Sequence, residues 1–243
     1  MNRLHGVLLW IVLFEVCVLS NANFRSGVLR IVSNFTNKLV TTETNVIDRK
    51  YNITSLIWCA VLCFSNEKCV SLFFLSDTHV CQLHNVLFVD TTDADDRPDT
   101  KYFQITEDWC PYDKGYVVYR PLALCYKIHE DEVAQAQAKL TCQDEGGILA
   151  MVKDETTFNH LYDFLRASST IRQKHFQIGA DDIAVEGSLR WADGSPVTWT
   201  NWAQGEPSHD TERCTSMAWF YYFKWNDIPC SHPVGFLCQI IKP

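Results

Sequence analysis

The chain has no run of lysine or arginine, no second long apolar stretch and no internal repeat, and each absence removes a class of protein. Its 21 Lys and Arg are outnumbered by 29 Asp and Glu, for a formal net charge of -8. An acidic surface repels phosphate backbones, so nucleic acid is not an expected partner. Beyond the N-terminus no segment stays apolar for the ~20 residues that a membrane-crossing helix needs. Enzyme signatures are missing too. His129-Glu130 lacks the second histidine of a zinc-protease motif, and no Gly-x-Ser-x-Gly elbow, phosphate loop or nucleotide fingerprint occurs. Disorder is excluded because hydrophobic residues make up 47% of the 243. That length suits one large or two small domains.

What is present begins with a leader. Arg3 supplies a positive start, an apolar stretch runs from Gly6 to Leu19 with Glu15 inside it, and Ser20 and Ala22 are small residues suited to a cut after Ala22. This predicts a cleaved signal peptide over residues 1–22 and an extracellular protein; the alternative, a membrane anchor, would want a longer uncharged run. Of the 11 cysteines, Cys17 leaves with the leader. The remaining even number suits full pairing in an oxidising compartment. Behind a leader, Asn34-Phe35-Thr36 and Asn52-Ile53-Thr54 become N-glycosylation acceptors, which places Asn34 and Asn52 at the surface.

The cysteines form two groups, Cys59 to Cys81 and Cys110 to Cys238, separated by a polar, acidic, proline-interrupted stretch from Asp90 to Thr100 that reads as a loop. Tyr102-Phe103-Gln104-Ile105 reads as a closing strand, and the boundary falls near Glu107. In the first group Thr54 or Ser55 can cap a helix from Leu56, and Cys59 and Cys63, four apart, share its face. Val70 to Leu75 is strand-like. A redox pair would want two intervening residues rather than three. Ser55 to Cys63, then Cys69, Phe73 and Cys81-Gln82-Leu83, resembles a PAN/apple domain over about residues 24–105. The resemblance implies bridges Cys59–Cys81 and Cys63–Cys69, one helix on a small antiparallel sheet, and adhesion to proteins or glycans.

The second group carries more chemistry. Cys110 and Cys125 flank a segment with Pro121 near its middle, as in a bridged hairpin. Residues 131–143 have helical character, with Val133, Ala136 and Leu140 on one face, ending at Gly146-Gly147. Asp154 can cap a second helix in which Phe158, Leu161, Tyr162 and Leu165 recur at helical spacing. Phe176 to Gly179 and Phe236 to Ile240 read as strands. From Trp191 to Trp225 the composition is that of a long structured loop, where function tends to sit. Glu206, Ser208, Asp210 and Glu212 crowd one part of it, and Asn226 and Asp227 follow Trp225. Calcium takes six to eight oxygen ligands, so the two clusters make a cation cage if the chain folds back. Cys214 and Cys230 lie just outside and would clamp that fold-back when paired. Without it, these are solvated loop carboxylates. A cis peptide at Glu206-Pro207 would aim the neighbouring side chains at one point. Trp191, Trp199 and Trp202 suit a core. In the run from Trp219 to Phe223, Tyr221 and Phe223 are either core or exposed rings able to stack on a sugar.

Trp225-Asn226-Asp227 before Cys230, Gly205-Glu206-Pro207 before Cys214, Gln177-Ile178-Gly179-Ala180 and six cysteines together resemble a long-form C-type lectin domain over about residues 110–241. The resemblance implies pairs Cys110–Cys125, Cys142–Cys238 and Cys214–Cys230, two helices flanking two small sheets, and a calcium-bearing loop. Carried over by position, Glu206, Ser208, Glu212, Asn226 and Asp227 hold both the Ca2+ and the sugar. Ser208 departs from the pattern, since mannose binders of the family usually read Glu-Pro-Asn and galactose binders Gln-Pro-Asp; Asp210 is a substitute ligand. Of an auxiliary calcium site, Asp182 and Glu186 match, while His209 and Arg213 replace carboxylates. The expected protein is α+β: a leader (1–22), a PAN/apple-like domain (23–106) and a C-type lectin-like domain (107–243). The expected function is calcium-dependent binding of mannose-type glycans on microbial or cell surfaces, without catalysis, with proteins or a second copy as further partners. The rival is a protein-binding adhesion or extracellular-matrix molecule that has lost sugar binding.

Overall fold

A computed structural model describes residues 14–20, 23–41, 45–88, 91, 93–167, 171–208 and 211–243; the side chains among them are described from residue 28 onward, Ala167 apart. The N-terminal half contains β1 (Phe14–Ser20), β2 (Asn23–Ile31), β3 (Lys38–Val40), β4 (Val46–Lys50), α1 (Leu56–Ser65), β5 (Ser71–Leu75), β6 (Val80–His84), β7 (Ala94–Asp96) and β8 (Thr100–Thr106). Six strands form an antiparallel sheet in the order β1-β2-β8-β5-β6-β4, and β3 pairs with β7.

The Ser55 hydroxyl caps α1 by accepting from the Trp58 amide at 3.3 Å. Cys59, Ala60, Cys63 and Phe64 form its buried face. Disulfides tie Cys59 to Cys81 in β6 and Cys63 to Cys69 just ahead of β5. Strand β5 is buried throughout, which accounts for its unbroken apolar run. Leu72 and Phe74 face the α1 cluster, while Phe73 and Leu75 join Phe35, Phe88 and Tyr102 on the other side. Asn34 and Asn52 are exposed.

One expectation changes here. The stretch read as a loop from Asp90 to Thr100 contains β7, whose Asp96 pairs with Lys38 at 2.7 Å and whose Asp95 accepts from Thr41; residues 89, 90 and 92 lie outside the described ones. A charged two-strand pair at a margin leaves no apolar signature. Part of the expected leader, Phe14–Ser20, is the edge strand β1, in register with β2 along its full length. Its valines and phenylalanine favour extended structure, and the edge of β2 offers unpaired backbone groups. The rest of the leader, residues 1–13 and 21–22, lies outside the described residues.

The C-terminal half contains β9 (Val117–Tyr119), β10 (Leu124–Val133), α2 (Gln135–Asp144), β11 (Ile148–Leu149), α3 (Glu155–Ala167), β12 (His175–Asp181), β13 (Arg190–Trp191), β14 (Cys214–Ala218), β15 (Trp225–Ile228) and β16 (Val234–Ile240). Its sheet runs β15-β14-β12-β16-β10-β9, with β11 added to β16 and β13 to β12. Disulfides join Cys110 to Cys125, Cys142 to Cys238 and Cys214 to Cys230. Asp154 caps α3 by accepting from the Thr157 amide at 2.8 Å, and Phe158, Leu161 and Leu165 face the core.

Helix α2 departs from its expected face. Residues 131–133 belong to β10, and the buried positions are Gln135, Ala138 and Cys142, while Leu140 is 52% exposed. The bond from Cys142 to Cys238 decides which face turns inward, overriding a weak apolar pattern.

The two halves pack on each other. Val70 and Leu87 enter the C-terminal core. Arg120 reaches back to donate to the carbonyls of Cys69 and Phe64, with its guanidinium over the Phe64 ring.

Each half also buries a histidine. His160 shares a 2.8 Å hydrogen bond with the Tyr126 hydroxyl and stacks on Tyr119; burial pushes its pKa down to about 3. Burial does the same to His84. Unfolded histidine titrates near 6.5, so between about 6.5 and about 3 the unfolded chain binds more protons. Stability is therefore expected to fall as pH drops through that window, by on the order of 2 kcal/mol per histidine at pH 5. Urea unfolding at pH 7 and pH 5 tests this, and His160→Gln should flatten the dependence. Equal midpoints at both pH values would refute it.

Candidate functional site

The site is assembled around Trp225. This buried ring is met edge-on by Trp191, Trp199 and Trp202, with centroids 5.7, 5.5 and 5.6 Å away. The Trp225 amide donates to the Asn201 carbonyl, and the Ala203 amide donates to the Trp225 carbonyl, both at 2.8 Å. These bonds fasten the long loop to β15. A turn through Gly205, whose φ of 93° suits glycine, then brings Glu206 beside Asp227.

The Glu206–Pro207 peptide is cis. The Ser208 amide donates to both Asp227 carboxylate oxygens at 3.0 Å, and the Ser208 hydroxyl donates to Glu212 at 3.5 Å. The Tyr221 hydroxyl donates to Glu206 Oε1 at 3.3 Å. Among the described residues, Glu206 Oε2 is buried with no hydrogen-bond partner. Burial, and the Asp227 carboxylate next to it, hold the Glu206 acid above the usual carboxylate range. The arrangement thus concentrates negative charge that the protein leaves uncompensated at one oxygen. The oxygens brought together are those of carboxylates and a hydroxyl, which fit a hard cation such as calcium better than zinc.

Glu206, Ser208, Glu212 and Asp227 are brought together. Asn226 adjoins Asp227 on β15, but among the described residues no hydrogen bond joins its side chain to the other four. Asp210 and His209 lie outside the described residues. At the auxiliary positions Arg213 sits on both acids, 2.9 Å from Glu186 and 3.9 Å from Asp182. A fixed guanidinium already supplies the positive charge that a second cation would bring.

The aromatic run resolves residue by residue. Phe223 is 2% exposed and belongs to the core, so its sugar-stacking reading is corrected. Tyr221 touches the site through its hydroxyl. The exposed rings are Trp219, Phe220 and Tyr222, which sequence alternation missed. Trp219–Tyr221 is a 3-10 turn, and Tyr222 and Phe223 follow in left-handed conformation at φ 56° and 57°, so the period-two rule of a strand does not apply. A second cluster of potential ligands, His129, Glu145 and Cys238, is structural: Cys238 is in a disulfide, and Glu145 is held by Lys127, Tyr116 and His129.

A family model, the Lectin C-type domain, matches residues 131–240. A C-type lectin of Micrurus corallinus is 30% identical over 125 residues, spanning 48% of this chain and 76% of that protein. The chain belongs to the C-type lectin family. Collectin-10 of Gallus gallus is also similar to this C-type lectin, 37% identical over 120 residues that make up 48% of this chain and 42% of that protein. The chain thus spans less than half the length of the collectins it matches. Human lithostathine, a solved structure, is 27% identical and covers 55% of this chain and 100% of its own, with a TM-score of 0.49. Among the described residues the α+β fold has three α-helices and five disulfides, of which α2, α3 and three bridges lie in the half that carries the C-type lectin domain.

Proposed function

We propose that this C-type lectin is a secreted, calcium-dependent glycan-binding protein, released by cleavage after Ala22, that recognises mannose-type sugars on microbial or cell surfaces and has no catalytic role. One observation carries the reading: Glu206 and Asp227 are gathered with Ser208 and Glu212, and one buried Glu206 oxygen has no hydrogen-bond partner among the described residues. Glu206, Ser208, Glu212, Asn226 and Asp227 would hold the Ca2+. The bound ion supplies open positions for two neighbouring sugar hydroxyls. The carboxylates accept from those hydroxyls, and the Asn226 amide donates to them. Trp219, Phe220 and Tyr222 add exposed rings beside Tyr221, suited to the apolar face of a sugar.

Residues 23–106 act in this reading as a PAN/apple-like domain and residues 107–243 as the lectin domain. The former reading is supported by the Cys59–Cys81 and Cys63–Cys69 bridges and by α1 on an antiparallel sheet. Its exposed Tyr51, Ile57 and Trp58 offer a surface for a protein partner or a second copy. A competing reading, an adhesion or matrix protein without sugar binding, is favoured by Ser208, which anchors Asp227 through its amide and offers the cage only a short hydroxyl.

A glycan array decides between them. The wild type is expected to retain mannose-type glycans in millimolar calcium and to lose them in chelator. Asp227→Ala should lose this calcium-dependent retention, and Ser208→Asn should bind more strongly in calcium. Identical profiles with calcium and with chelator would overturn the calcium-dependent reading, and no glycan retained in either condition would leave the adhesion reading in place.

A further inference from the structure

A cleft of about 640 Å3 lies where the two halves meet, and it shares no lining residue with the Glu206 site. Ligand sites favour such junctions, and this volume is within their usual range. Its walls come from both halves: Asn45, Asn85 and Phe88 from one, Tyr119, Asn159 and His160 from the other. Three carboxamides therefore converge on one space. Each carries a donor and an acceptor, the combination that matches a hydroxyl, which is both.

One of the three is incomplete within the protein. Among the described residues, Asn85 Oδ1 is buried and has no hydrogen-bond partner, although the Asn85 backbone amide is held by the Asn45 carbonyl at 3.3 Å. Buried acceptors are nearly always satisfied, so this one calls for a donor from outside the chain. The apolar side of the cleft combines the aliphatic Val86 and Leu87 with the rings of Phe88, Tyr119 and Phe164. Phe88 packs in the N-terminal aromatic cluster, and Tyr119 is braced by His160 at a centroid distance of 3.5 Å. Such rings suit the C–H face of a pyranose.

Charge narrows the class. His160 is neutral because burial pushes its pKa down to about 3 and Tyr126 occupies one ring nitrogen. The charged groups lining the cleft are Asp163 and Arg166, one of each sign on the same helix. The lining is thus polar without net charge, and a single carboxylate makes no cation cage.

We infer that this cleft is a second saccharide site, for neutral mono- to trisaccharides, that works without calcium. It stands independently of the Glu206 reading. Saturation-transfer NMR on the full chain in chelator tests it, using maltose, cellobiose, lactose and diacetylchitobiose, with sialyllactose as the charged comparator. At least one neutral sugar should give a signal in chelator, and Asp227→Ala should keep it, because that variant disables only the other site. Asn159→Trp, at an exposed rim position, should weaken it roughly tenfold or more. Thr156→Trp, also exposed on the rim, should do the same and guards against a fold defect in the first variant. No neutral-sugar signal in chelator, a preference for sialyllactose, or a signal untouched by both rim variants would each overturn the proposal.

Discussion

Millimolar calcium should raise the melting temperature of this lectin by roughly 5–10 °C over its value in chelator. A ligand at a hundred times its dissociation constant stabilises by about 2.7 kcal/mol, and in a chain of this size each kcal/mol moves the midpoint by roughly 2–4 °C. The direction follows from charge. Without a cation, Glu206 stands against Asp227 with a buried oxygen unpartnered, and its pKa rises in consequence. A cation removes that repulsion in the folded state alone. Asp227→Ala takes a ligand from β15 and Glu206→Ala takes one from the loop, so either should abolish the shift while the disulfide-held core stays folded. Ser208→Asn should enlarge it. Protons and calcium compete for the same carboxylates, so the shift should shrink as the solution is acidified. A wild-type midpoint that is the same in calcium and in chelator would sink the cage.

Replacing Cys142 and Cys238 together by alanine should cost about twice as much as replacing Cys63 and Cys69. The first pair is separated by 96 positions and the second by 6. The entropy a crosslink removes from the unfolded chain grows with the logarithm of that separation, giving ~5 kcal/mol against ~2.5 kcal/mol. Cys142–Cys238 also orients α2, so its loss should free the helix to present Leu140 rather than Ala138 to the sheet. Urea denaturation of the oxidised proteins, read on the half that each bridge staples, measures both costs. Equal costs would mean that chain entropy does not govern this crosslink.

Legibility in the sequence tracks the range of the signal. Ser55 and Asp154 are helix caps that can be read from three or four residues, and both act as caps here. Strands β5 and β16 announce themselves as short, largely apolar runs because both of their faces are largely covered, and β8 and β12 do so through the shorter Tyr102–Ile105 and Phe176–Gly179 stretches. The face of α2, the pairing of β7 with β3 and the docking of Val70 and Leu87 into the other half depend on distant partners. No local window contains them. At the site, carboxylate spacing and the flanking Cys214 and Cys230 marked a fold-back. The role of Arg213 was visible only as a missing acid; its ion pairs with Asp182 and Glu186 require the loop to have folded. The turn at Trp219–Tyr221 misled because an aromatic run looks like a strand, yet left-handed conformations at Tyr222 and Phe223 swap which rings face outward.

The pairing of β10 with β16 separates fastening from function. Val133 lies opposite Val234, so the segment that carries α2, α3 and the ligand-bearing loop starts and ends at one pair of strands. Closing a longer excursion costs only ~0.6 kcal/mol for each doubling of its length. Substitutions in the loop therefore act on the ligand set, through the bonds that Ser208 makes to Asp227 and Glu212, more than on the frame. The same frame can then be fitted with different ligand sets, and a change of sugar preference need not be preceded by a change in the core.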